Sequence, residues 1–210
     1  MNQTPAVTDL QVDRFSKCIL QGGVVVFPTD TVYGLGCDPQ NESAIQRLYD
    51  LKQRSLAKPS AVMFFQLTTL FKTLAWLPTD LPQTTTALQK LLPGPLTVLV
   101  NNHSNYCPTL NSPTLGIRVP SLGPQLAAFA VCQQPVLQTS ANLAGQPEAH
   151  SISELPTTIR ANVDLIIDVG KLTGTPSTVL DLREYEITRR WSILRAGAVG
   201  QTDLQAKLGH

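Results

Sequence analysis

The sequence is short of charge. Only 15% of its 210 residues are Asp, Glu, Lys or Arg, against roughly a quarter in an ordinary globular domain. The signs nearly cancel, 16 basic against 15 acidic, for a formal net charge of +1. That balance excludes a disordered polyelectrolyte and a surface coated in basic charge, so bulk attraction to long nucleic acids is not expected. Histidine is scarcer still. His103, His150 and His210 are the whole supply, too little for a multi-histidine metal site and poor material for a histidine triad. Cys18, Cys37, Cys107 and Cys132 lie 19, 70 and 25 residues apart with no C-x-x-C pair, which argues for reduced structural thiols and against a zinc site. No window approaches the roughly 18 apolar residues of a membrane span, and the opening MNQTPAVTDLQVDRF lacks the basic start and apolar core of a secretory signal. A cytoplasmic location is expected.

Familiar nucleotide and nucleophile motifs are missing too. Gly34-Leu35-Gly36 follows an apolar run, but Pro39 stands where a dinucleotide fingerprint needs its third glycine. There is no G-x-x-x-x-G-K-[ST], and without a G-x-S-x-G Ser140 has no nucleophile elbow.

What is abundant is proline, with 16 residues, implying many turns and short elements. Hydrophobic residues make up 42% of the chain, ample for one full core. Thr8 and Gln11 form a capping-box pattern, and Leu10, Phe15, Ile19 and Leu20 give a helical spacing that stops at Gly22-Gly23. Val24-Val25-Val26-Phe27 reads as a strand covered on both faces, breaking at Pro28. Asn41 can cap a helix whose Ile45, Leu48 and Tyr49 share a face, ending near Lys52 and Arg54. Further strands are predicted at Ala61–Phe65, Leu96–Val100, Leu115–Val119, Val136–Thr139, Leu165–Val169, Thr178–Leu182 and Ile187–Leu194. Helices are predicted at Asp80–Leu92, Gln125–Cys132 and Ser151–Ala161, the last opened by a capping box of Ser151 and Glu154. No stretch is rich enough in Gly, Ser or charge to be a linker. The expectation is a single α/β domain (α+β in stricter schemes) over residues 1–210, with a core of about 7–199 and a tail at 200–210. Strands following strands predict a twisted mixed parallel and antiparallel sheet flanked by helices.

Polar groups gather where strands end. Thr29, Asp30, Thr31 and Tyr33 follow the first strand, Arg118 interrupts an apolar one, and Thr139, Ser140 and Asn142 follow another. Ligands of α/β sheets bind at such ends, although a turn or helix cap explains each group equally well alone. Lys52, Arg54 and Lys58 bring three cations together with only Asp50 nearby. They suit a polyphosphate clamp, Arg supplying a fork and Lys a point charge. The loop from Tyr106 to Arg118 carries hydroxyls at Thr109, Ser112 and Thr114 and a single charge, and it either closes over an anion or simply crosses the surface. Arg189-Arg190, on an expected alternating strand near Glu184 and Glu186, reads as a solvated edge more readily than an RNA contact.

Taken together these segments resemble the YrdC-like family of threonylcarbamoyl-AMP synthases, in its short single-domain form. The resemblance rests on VVVFPTDTVYGLGCDP (24–39), LKQR with KP following (51–59), LPGPLTVLV (92–100), TLGIRVP (114–120), TSANLAGQP (139–147), PSTVLDL (176–182) and ILRAGAV (193–199). It implies a cavity lined by basic groups. By resemblance, Lys52, Arg54, Ser140 and Asn142 form the family's K-x-R and S-x-N pairing on the ATP phosphates, joined by Lys58, Thr114 and Arg195. Thr31, Tyr33, Met63, Arg118 and Ser177 fall around L-threonine, Arg118 meeting its carboxylate. Ser60 departs from the usual K-P-L, and Met63 stands where many members place a histidine.

The implied reaction joins L-threonine, bicarbonate and ATP into threonylcarbamoyl-AMP and pyrophosphate, for threonylcarbamoyl modification of the tRNA adenosine beside the anticodon. Partner transferase proteins would carry the intermediate to tRNA. No organic cofactor is implied, and Mg2+ is expected to arrive with ATP and keep waters, since no carboxylate cluster marks a protein-built cage. The rivals are a non-enzymatic module of the same fold binding tRNA or double-stranded RNA, and a small-molecule carbamoyltransferase or hydrolase.

Overall fold

The computed structural model describes residues 5–58 and 60–209. His210, Pro59 of the K-P piece and the first four residues of the opening segment lie outside the described residues.

The chain opens with α1 (Asp9–Leu20), where Thr8 and Gln11 make the reciprocal capping box. Its buried face is Val12, Phe15 and Ile19; Leu10 and Leu20 point to solvent, so the apolar stripe runs one step aside from the predicted one. A hairpin follows, β1 (Val25–Pro28) and β2 (Tyr33–Cys37), antiparallel with Pro28 opposite Tyr33. Sequence periodicity does not reveal β2, because YGLGC is glycine-rich and glycine is depleted in strands. Packing explains the residue choice. A Cβ on Gly36 would come within 2.5 Å of Val136 Cγ1 and 3.0 Å of Phe27 Cε1.

Next come α2 (Glu42–Lys52), capped by the Asn41 side chain on Ala44 N, then β3 (Ala61–Met63). Three helices follow, α3 (Leu67–Thr73), α4 (Trp76–Asp80) and α5 (Pro82–Leu91). The sequence reading held only α5, about where expected. Neighbouring side chains cap both ends of α5. Glu186 Oε2 accepts from Thr84 N at 2.9 Å, and Lys207 Nζ donates to Lys90 O at 3.0 Å. Then come β4 (Leu96–Asn101), β5 (Thr114–Arg118) and β6 (Val136–Ser140).

The later chain departs further from the periodicity. Gln125–Cys132 is a 3-10 segment at Pro124–Val131. The predicted helix at Ser151–Ala161 is broken by Pro156 into a 3-10 turn at Ile152–Glu154 and α6 (Thr157–Asn162). Glu154 accepts from His150 N, and Ser151 makes no side-chain cap, so that box is not formed. Then follow β7 (Leu165–Ile166), β8 (Thr178–Asp181), α7 (Tyr185–Thr188), β9 (Ser192–Arg195) and α8 (Gln201–Leu208). The strand expected at Ile187–Leu194 therefore begins in the end of α7 and is extended only from Ser192, and Arg189 turns the chain at φ 60° instead of lying in a strand.

Among the described residues nine strands form one mixed sheet, ordered β7-β1-β2-β6-β3-β5-β4-β8-β9. Pairs β1/β7, β3/β5 and β4/β8 are parallel and the rest antiparallel. Under α1, Phe15, Phe27, Phe65 and Phe129 pack as one aromatic cluster, with Phe15 and Phe27 5.1 Å apart edge-on and Phe65 and Phe129 4.8 Å apart and stacked. Such pairs contribute about 0.5–1.5 kcal/mol each beyond area burial. In β4 burial alternates, Leu96, Val98 and Val100 inward against half-buried Thr97, Leu99 and Asn101. The second face of the mid-sheet strands is thus left open to hold a ligand.

Candidate active site

On that open face lies a cavity of about 540 Å³, within the range of small-molecule sites. Small residues make its floor, Ala61 of β3 and Gly116 of β5, which are register partners. A Cβ on Gly116 would stand 3.1 Å from that of Ala61. Polar groups from distant parts of the chain form the walls, and they include Thr31, Arg54, Lys58, Thr114, Arg118, Ser140, Ser177 and Arg195 of the sequence-predicted set.

One end is built around Arg118. It is 4% exposed, and its guanidinium donates to Asp30 Oδ1 at 2.8 Å, Gln138 Oε1 at 3.2 Å and Thr31 Oγ1 at 3.3 Å. Asp30 also accepts from Ser121 N at 3.0 Å. Burial pushes the Asp30 carboxyl up and the Arg118 guanidinium down, each against the pull of the other. Arginine stays protonated in proteins, so the pair remains ionic. Arg118 Nε is buried without a hydrogen-bond partner among the described residues. Ser177 and Arg195 close the neighbouring wall, where Arg195 donates to Ser177 O at 2.7 Å and Ser177 Oγ lies 2.9 Å from Thr97 Oγ1.

The other end follows α2. Gln53 is left-handed, at φ 52°. That turn sends Lys52 inward and Arg54 toward the cavity. Arg54 Nε donates to Lys58 O at 2.9 Å and one terminal nitrogen to Thr139 Oγ1 at 3.2 Å, with the guanidinium 6.0 Å from the Tyr49 ring centroid. Tyr49 in turn donates to Ser60 Oγ at 3.0 Å, which gives Ser60 a local structural role.

Four residues predicted for the site do not line the cavity. Lys52 is 2% exposed, and its Nζ donates to Ser140 O, Asn142 O and Asn142 Oδ1 at 2.5, 2.8 and 3.1 Å. Asn142, also buried, is turned toward Lys52, Ser140 and the Leu143 and Gln146 carbonyls. K-x-R and S-x-N do meet, with Arg54 and Ser140 on the cavity and Lys52 and Asn142 behind them. Burial, and next the charge of Arg54, bring the Lys52 ammonium down to about 7, against the opposing pull of Glu148. Tyr33 points away. Its hydroxyl donates to Gly170 O at 2.7 Å and accepts from Val169 N at 3.0 Å, and burial pushes it up to about 12. Met63 is wholly buried in the core. The resemblance puts both beside threonine; here neither lines the cavity, Met63 packing in the core and Tyr33 anchoring the Val169–Gly170 turn.

Thr97, Gln138 and Glu148 line the cavity without having been singled out from the sequence. Thr97 and Gln138 carried a signal, each being a polar residue inside an apolar strand. Glu148 carried none, lying in a polar loop. The 102–113 loop is stapled by Asn102, whose Nδ2 donates to Tyr106 O and Ser112 O. Among the described residues no group of three or more His, Cys, Asp or Glu could hold a metal ion, and no helix is long and apolar enough to cross a membrane.

The Sua5_yciO_yrdC family model, which carries the description telomere recombination, matches residues 17–197. A threonylcarbamoyl-AMP synthase of Xanthomonas euvesicatoria pv. vesicatoria is 34% identical over 187 residues, 86% of this chain and 97% of that protein. Among solved structures, a doubly substituted P. abyssi Sua5 superposes with a TM-score of 0.82 at 25% identity, over 97% of this chain. The chain spans 61% of that longer protein. P. abyssi Sua5 has also been solved in complex with L-threonine, with a TM-score of 0.79 at 24% identity over 97% of this chain and 58% of that one. E. coli YciO gives a TM-score of 0.74 at 26% identity, covering 97% of this chain and 99% of that one.

Proposed function

Because the chain belongs to the Sua5/YciO/YrdC family, we propose that it is a threonylcarbamoyl-AMP synthase, a nucleotidyltransferase that converts L-threonine, bicarbonate and ATP into threonylcarbamoyl-AMP, pyrophosphate and water. The observation that carries this reading is the pairing, within one cavity, of a buried and oriented Arg118 with Arg54, Lys58 and Arg195 on the walls. A guanidinium fixed by Asp30 and Gln138 suits the carboxylate of an amino acid, and the other cations suit a polyphosphate.

The chemistry needs no histidine or activated nucleophile. The threonine amine and bicarbonate, or CO2 derived from it, form a carbamate, and a carbamate oxygen then attacks the α-phosphorus as pyrophosphate leaves. Holding the reactants in line contributes about 7–11 kcal/mol to such a step. Arg54 and Lys58 neutralise charge that develops on the phosphates. Thr31 and Ser177, 1% and 3% exposed, place hydroxyls near Arg118 at the amino-acid end. Mg2+ bound with the nucleotide would share in neutralising the phosphates, and oxygen donors are the chemistry it requires. The activated intermediate then passes to transferase proteins that modify tRNA.

Incubation with labelled bicarbonate, L-threonine and Mg-ATP, followed by mass analysis, should yield a labelled threonylcarbamoyl adenylate together with threonine-dependent pyrophosphate. Pyrophosphate release indifferent to threonine and bicarbonate would sink the reading, and turnover of carbamoyl phosphate would replace it with carbamoyl transfer.

A further inference from the structure

One acidic side chain lines the cavity among the described residues, that of Glu148. It lies in the loop between β6 and α6, is half-buried, and makes no hydrogen bond or ion pair with another described residue. The loop is held on both sides of it. Asn142 Nδ2 donates to Gln146 O, and Tyr33 N donates to Ala149 O at 3.0 Å. Glu148 therefore lies on a segment strung between the Asn142 turn and the start of β2, on the wall of the cavity that also holds Ser140 and Thr31. Its field reaches Lys52 behind the wall, holding that ammonium up against burial.

A bare carboxylate facing a polyphosphate is repulsive unless a cation lies between them. Magnesium is bound beside nucleotides in this way, through one or two carboxylates together with phosphate oxygens and retained waters. The donors here are of the required hard type, Glu148 with the hydroxyls of Thr139 and Ser140 lining the same cavity. Resting on the synthase reading above, we propose that Glu148 is the protein's ligand to the Mg2+ of bound Mg-ATP, directly or through one water, so that this chain selects the magnesium complex over free nucleotide.

The test is calorimetric titration with a non-hydrolysable ATP analogue, once with Mg2+ and once with EDTA, for the full chain and for Glu148→Gln, with thermal melting to verify that the variant folds. The unaltered protein is expected to bind the magnesium complex more tightly. Glu148→Gln should weaken that binding at least fivefold, while metal-free analogue binds as before or more tightly because the repulsion is gone. Equal weakening in both titrations, or unchanged magnesium dependence, would overturn the assignment and leave the synthase reading standing. Failure of the unaltered protein to bind the analogue in either titration would overturn both.

Discussion

Lys52 Nζ holds Asn142 through its main-chain oxygen at 2.8 Å and its side-chain oxygen at 3.1 Å, so the lysine of K-x-R acts on the S-x-N turn from behind. Lys52→Met would strand the buried Asn142 main-chain oxygen, since Ser140 O still accepts from Asn142 N and Asn142 Oδ1 from Ser140 Oγ, at a cost of about 1–3 kcal/mol in stability by urea unfolding. It should also release the Ser140 turn and weaken nucleotide binding although the lysine does not line the cavity. Unchanged nucleotide affinity in a destabilised variant would limit Lys52 to the fold.

The same burial predicts that the proposed nucleotide binding is linked to a proton. Burial brings Lys52 down to about 7 in the folded chain from 10.5 when unperturbed. Between those values the unfolded state binds more protons, so this group's contribution to stability rises with pH across that window. An arriving polyanion raises the lysine again. At pH 8 ATP-analogue binding should take up a fraction of a proton, read as a dependence of binding enthalpy on the ionisation enthalpy of the buffer and lost in Lys52→Met.

Arg54 lines the cavity and is only half-buried. Its replacement by Ala should lower threonine-dependent and bicarbonate-dependent pyrophosphate release on the order of 100-fold or more, with a melting temperature close to that of the parent. Unaltered release in a folded variant would remove the phosphate-clamp role.

Arg118 is harder to remove cleanly. Arg118→Ala strands Asp30, whose side chain is 6% exposed, and should cost about 3–5 kcal/mol. Arg118→Lys keeps the charge but loses the fork. It should raise the KM for threonine far more than that for ATP, and equal effects on both would argue against a carboxylate site.

Gly174 tests how closely the amino-acid end is packed. A Cβ there would lie 2.3 Å from Thr31 O and 2.6 Å from Thr31 Cα, and main chain cannot swing aside as a side chain can. Gly174→Ala should cost about 1–3 kcal/mol and displace Thr31, raising the threonine KM with little change in nucleotide affinity. Steady-state kinetics at saturating ATP provide the measurement.

The parts of this structure legible in the sequence are those where local chemistry and tertiary packing agree. The Thr8 capping box, the Asn41 cap and the buried Val25–Phe27 run all form as their residue types dictate. The glycine-bearing strand β2 is hidden because its side chains are absent for the sake of neighbours far along the chain, such as Val136 against Gly36. Arg189-Arg190 misled for the opposite reason, since an alternating pattern there is spent on a helix end and a left-handed turn. At the site, motifs identified which residues come together, but not which of two neighbours faces the ligand. The left-handed Gln53 decides that for Lys52 and Arg54, and no side-chain pattern announces such a turn.

The strand order has a consequence for how the protein comes into being. β7 pairs with β1 and β8 with β4, while Arg195 of β9 completes the cavity wall. Early strands therefore wait for late ones, a topology rich in long-range pairing that favours slow closure. During synthesis the clamp residues at 52–58 leave the ribosome long before Ser177 and Arg195 exist to oppose them. The nascent chain has a half-built pocket, and the cavity wall is completed only in the last fifth of translation.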